Sequence, residues 1–333
     1  MSPHDMDLID HPAGPDEKLR LACEDLQLDR WLEAKRLLRD TGDDWTLRTS
    51  RSQVLARVAA NNRAIEAWCA EEPHDADALM MRARVNTERV LNTHRGGVSG
   101  RALRRAVDAA DAACRIAADW WPQDPVPPVC QLALAQTDTD EMFPHSPVNW
   151  SRPLDITLPL GPWRLLDWAH RMDPYGREAH HRMLGVFHAR GHGGLNFAHA
   201  VAYSAPEGSA LHLLPLYAHL EAYRRQLQGR QTAGVTGYWS SEDAALCAEQ
   251  ALYNWFEQTQ PTEDEPDTRS LLDLNYLAYA LTVTGVGQAA AVFEAIGPYA
   301  TLAPWAQVTP NYSWWQDDFR SARYRAMSER SRR

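Results

Sequence analysis

Apolar side chains recur at three- and four-residue spacing through most of the chain, the pattern of helices that bury one face. Pro15-Asp16-Glu17 opens the first helix with acids at the positive end of the dipole, and Leu19, Ala22, Cys23 and Leu26 follow on one side. A second helix runs from about Asp29 through Trp31, Leu32, Leu37 and Leu38 to a stop at Gly42, and a third covers Trp45 to Ala60. A fourth, Arg63 to Glu72, ends before Pro73. Far downstream, Ser240 or Ser241 caps a helix that runs to Gln260 with Ala244, Cys247, Ala251, Leu252 and Trp255 inward. Thr268–Thr284 and Gln288–Ile296 are further helices. The arginine-rich end is a solvated helix with its cations at the negative pole.

Between these lies a rhythm of helix, Pro-centred turn and helix. It is centred on Pro73, Pro122 and Pro174, and each turn carries an aspartate: Asp75, Asp124 and Asp173. The period is about 50 residues, which in helical sequence points to stacked helix pairs, since one pair alone cannot bury both apolar faces. The second helix of one pair, with Ala110, Cys114, Ala117 and Pro122, resembles the small–bulky–small–Pro signature of tetratricopeptide repeats. Leu166, Ala169 and Pro174 match it in part, and Trp68 departs from it before Pro73. The first-helix signature of that family is not cleanly present, and the period exceeds the family's about 34 residues. The resemblance implies an all-α fold of antiparallel helix pairs stacked as a tetratricopeptide-like α-solenoid of about 13–15 helices. It also implies a protein or peptide partner.

Proline then sets the domain organisation. Residues 137–162 hold Pro144, Pro147, Pro153, Pro159 and Pro162, so helix is excluded from most of them. Irregular connections of this length are often functional, and Phe143 and Trp150 are its candidate lid residues. The expected organisation is a loose tail over 1–14, helical repeats over 15–136, the Pro-rich loop, and more repeats over 163–333 as one continuous array.

Composition narrows the function classes. A formal net charge of −10 argues against nucleic acid as a general partner. No apolar run reaches membrane-spanning length, and the start of the chain lacks a signal-peptide pattern, so a cytoplasmic protein is expected. The five cysteines, far apart and set in helical pattern, read as reduced core thiols. Arginine almost replaces lysine, which reads as the codon bias of a GC-rich genome.

The densest chemistry lies between Tyr175 and Gln228, which holds seven of the thirteen histidines. His181 and His188, His192 and His199, and His212 and His219 are each seven residues apart, which on a helix is about 10.5 Å along the axis. Two imidazoles on one zinc ion keep their nitrogens within about 4 Å, so no such pair can share an ion. A metal site needs ligands from different helices, with His188, His192, His212 and His219 as the candidates and Glu178 or Glu221 as a carboxylate. No H-E-x-x-H and no di-iron E-x-x-H pair occurs, so the expectation is no metal and no cofactor. Hydrogen-bonded interface histidines are the more economical reading. His181, His188, His192, His199, His212, His219, Glu221 and Arg224 are then candidate lining of a groove for an acidic peptide or a small acidic ligand.

Two function classes remain: a cytoplasmic helical-repeat scaffold that binds proteins or peptides, and an enzyme or cofactor-binding protein with a His-lined site at 175–228. No membrane partner is expected, and a homo-oligomer is compatible with either class.

Overall fold

A computed structural model describes residues 7–140, 144–229, 237–261, 267–308 and 312–330. Among them the chain is all-helical, with sixteen α-helices and no strand. The count exceeds the expected range and includes the four-residue helix Trp305–Val308. Two compact units divide the chain: Asp16–Asn196, and Phe197–Arg333 with the segment up to Pro15. The Pro-rich loop therefore lies inside the first of these.

That unit contains α1 (Glu17–Gln27), α2 (Leu32–Thr41), α3 (Trp45–Ala59), α4 (Ala64–Glu71), α5 (Ala76–Arg95), α6 (Gly100–Trp120), α7 (Val126–Leu134), α8 (Trp163–Met172) and α9 (Arg177–Arg190). Aspartates start several of them. Asp16, Asp44 and Asp75 accept from the backbone N–H of Leu19, Leu47 and Ala78, satisfying donors that a helix start leaves open. Asp124 does the same for Val126 at the start of α7. The turn aspartates of the rhythm are thus caps at two of their three positions.

The middle of this unit holds charge as well as hydrocarbon. Arg84 of α5 is 2% exposed and grips both carboxylate oxygens of Glu178 on α9 at 2.6 Å. Arg182 joins Glu178 to the buried Glu88. Arg48 of α3, fully buried, binds Asp124 and Asp77 and lies 4.5 Å from the Trp121 ring centre. Burial alone would raise the Glu178 carboxyl, but Arg84 and Arg182 outweigh it and hold it below its ordinary value.

The loop packs down against its own unit. Ser151 and Gly161 exchange backbone hydrogen bonds, the Arg190 guanidinium sits 3.8 Å above the Trp150 ring, and the Trp163 indole donates to the Pro159 carbonyl. Phe143 lies outside the described residues.

The second unit contains α10 (Gly194–Ser204, its first turn shared with the boundary), α11 (Leu214–Gln228), α12 (Glu242–Ala251), α13 (Leu271–Thr284), α14 (Ala289–Ile296), α15 (Trp305–Val308) and α16 (Trp315–Arg330). Its core joins Leu213, Leu216 and Leu220 to Cys247, Trp255, Leu277, Phe293, Trp305 and Phe319. Leu227, at the end of α11, is 38% exposed. In the described residues no helix is long and apolar enough to cross a membrane.

Candidate metal centre

Three helices of the second unit bring four donors together. His199 comes from the middle of α10 and His219 from α11. Asp243 and Cys247 come from α12, four residues apart and so on one face. Ser241 accepts from the Ala244 N–H, which sets the start of α12 and puts Asp243 in its first turn, where a carboxylate is favoured. The ligating atoms of all four lie within 4.8 Å of one another. Asp243 Oδ2 is 3.3 Å from His219 Nε2 and 3.5 Å from His199 Nε2. The two imidazoles meet edge to face, with ring centres 6.0 Å apart.

His219 carries the strongest indication. Its residue is 3% exposed, and Nδ1 lies 3.0 Å from the Tyr238 hydroxyl. Nε2 is buried without a hydrogen-bond partner, although Asp243 Oδ2 is close: the carboxylate is out of line for a ring N–H. A buried polar atom left unpaired costs about 1–3 kcal/mol. In the tautomer whose Nδ1–H donates to the Tyr238 hydroxyl, Nε2 presents a lone pair toward the Asp243 carboxylate, and a cation between the two acceptors would satisfy both.

Electrostatics agree with a ligating role. Burial pulls the His219 imidazole below its ordinary value, outweighing the Asp243 carboxylate, so the ring is neutral. Burial, and then Asp243, push the Cys247 thiol up to about 12. In the metal-free protein it is therefore a protonated, inert core thiol, and a bound cation would displace its proton.

Size decides what the donors fit. Zinc bonds nitrogen and oxygen at about 2.0–2.1 Å and sulfur at about 2.3 Å, so a tetrahedron separates its N and O donors by about 3.3 Å and sets sulfur about 3.6 Å from them. The 3.3 and 3.5 Å separations match that spacing. A set of two imidazoles, a thiol and a carboxylate suits zinc or a neighbouring transition metal and not calcium or magnesium, which take oxygen shells.

The sequence pointed to ligands from different helices, with His219 among its metal candidates and His199 as groove lining only; its other metal candidates were His188, His192 and His212. His212 Nε2 is bonded to the Pro206 carbonyl at 3.0 Å, and His212 precedes α11 in a short 3-10 turn, off that helix. His188 packs its ring on Gly194, and His192 is exposed in the turn before α10, so His192 and His199 do not share one helix. His181 is half-buried, and desolvation holds it well below its ordinary value. Glu221 is taken by Arg224 and Arg225 on its own helix. Trp150 flanks a cavity of about 20 Å³, room for about one water.

Asp243 and Cys247 escaped the sequence reading because each had an adequate local explanation, as a first-turn acid and as a core thiol. Their one signal was D-x-x-x-C on a helix. Compared with protein-family models, curated proteins and solved structures, the chain matches none.

Proposed function

We propose that this chain is a helical metal-binding protein that holds one zinc-class ion on His199, His219, Asp243 and Cys247. The carrying observation is the buried His219 Nε2, left without a hydrogen bond while donor atoms of His199, Asp243 and Cys247 lie within 4.8 Å of it. This is the cofactor-binding reading of the histidine stretch, extended to two residues of α12. The test is metal content and cobalt(II) substitution of untagged full-length protein. One ion per chain is expected, with a thiolate-to-cobalt charge-transfer band that disappears in Cys247→Ser. Protein that keeps no zinc after dialysis and shows no such band sinks the proposal.

A second reading, a helical-repeat scaffold for a protein partner, has one observation in its favour. Leu154 and Ile156 stand fully in solvent on a loop closed by the Ser151–Gly161 pair, a costly place for aliphatic side chains. The capped helix–turn–helix units around Pro73 and Pro122 fit a tetratricopeptide-like stack, which this reading presumes. A photo-crosslinker at position 156, expressed in the native host, should capture one protein, and capture should vanish with Leu154→Asp. Crosslinking that is absent, or unchanged by that substitution, removes this reading.

A further inference from the structure

The four donors are not equivalent. His219 and Cys247 are almost sealed from solvent, 3% and 2% exposed, whereas the side chains of His199 and Asp243 are 39% and 53% exposed. An ion among them would have a buried inner face and an open outer one. Asp243 is the outermost ligand, and its Oδ2 alone approaches both imidazoles, so it would bind through one oxygen. Its charge has other stabilisation, from water and from the first turn of α12. A borderline-soft ion holds thiolate and imidazole more firmly than one such carboxylate oxygen.

Resting on the metal-binding reading, we infer that Asp243 is an exchangeable ligand and that the ion accepts a small monodentate anion or a water molecule in its place. The exchange breaks the metal–Oδ2 bond and forms one metal–anion bond, with no change of oxidation state. His199, His219 and Cys247 stay bound throughout. Three protein ligands and one replaceable position is the arrangement of catalytic rather than structural zinc, in which bound water is acidified toward neutrality. Tyr238, bonded to His219 from behind, fixes that imidazole's orientation while the outer position turns over.

The probe is thiocyanate, added to the full-length cobalt(II) protein. The expected result is a saturable shift of the d–d bands with the thiolate charge-transfer band retained. Asp243→Asn should keep one cobalt per chain and show the same shift at lower thiocyanate, because the competing carboxylate is gone. The inference is overturned if the wild-type d–d bands stay fixed at high thiocyanate while the thiolate band persists. It is also overturned if thiocyanate strips the ion out, or if Asp243→Asn no longer holds cobalt. A wild-type protein that never develops the thiolate band is a different failure: it refutes the metal reading itself, and the exchange falls with it.

Discussion

Tyr238 touches His219 and no other donor of the candidate centre by a hydrogen bond, and its removal tests how the site is held. Losing the partner of a ligating imidazole typically lowers metal affinity by about 10–100-fold without abolishing it. Tyr238→Phe should therefore weaken zinc binding by about that factor in competition with a chromophoric chelator, while the far-ultraviolet circular dichroism stays the same. Unchanged affinity would show that packing alone orients His219. A second residue-scale outcome concerns Gly193, which has φ +78° and would bring a Cβ to 2.5 Å from Pro159. Gly193→Ala combines backbone strain with a clash against the Pro-rich loop, and should cost about 1–3 kcal/mol in denaturant unfolding.

Among elements, α5 and α9 are joined by the Arg84–Glu178 pair, buried at both ends. Removing one partner strands a charge in the interior, at a cost of about 3–5 kcal/mol. Glu178→Ala should lower stability by that order, and Glu178→Ala with Arg84→Met should recover part of it, because the stranded cation is gone. Urea titration of the two variants separates them, and a double variant no better than the single would show that Arg84 is not the stranded group. At the start of α5, Asp75 both caps the helix and pairs with Lys35 at 3.2 Å. Asp75→Asn should cost less than Asp75→Ala, which loses about 1 kcal/mol from the cap alone.

For the whole molecule, the histidines make stability depend on pH. Burial holds His180, His181, His212 and His219 below their ordinary value. As pH falls through the unfolded value of about 6.5, the unfolded chain takes up protons that the folded one refuses. More protons on the unfolded state means stability that rises with pH. The metal-free protein should therefore have a steady midpoint temperature above neutrality and a falling one from about pH 6.5 downward. A midpoint that is flat from pH 7 to 5 would show that these rings are not held neutral. On the proposed metal-binding reading, zinc at a hundred times its Kd for the folded state should add about 2.7 kcal/mol of stability, visible in the transition that contains the second unit.

Much of the architecture was readable from local chemistry. α3 begins at Trp45 and α13 ends at Thr284, as periodicity and glycine stops predict. Those signals act within a few residues along the chain, so sequence alone determined most of the helices, several caps and the all-helical class, although the helix expected to reach Gln260 ends as an α-helix at Ala251 and passes into a π-turn. The buried arginines were not readable, because nothing near Arg84 in sequence announces a carboxylate 94 residues away. Division into units at Asn196 likewise depends on which helix faces find each other. The histidine stretch was visible as a place where chemistry concentrates. Tertiary packing alone chose His199 and His219 from it and supplied Asp243 and Cys247. A metal centre is a property of distances between helices, and periodicity along one helix carries no information about them.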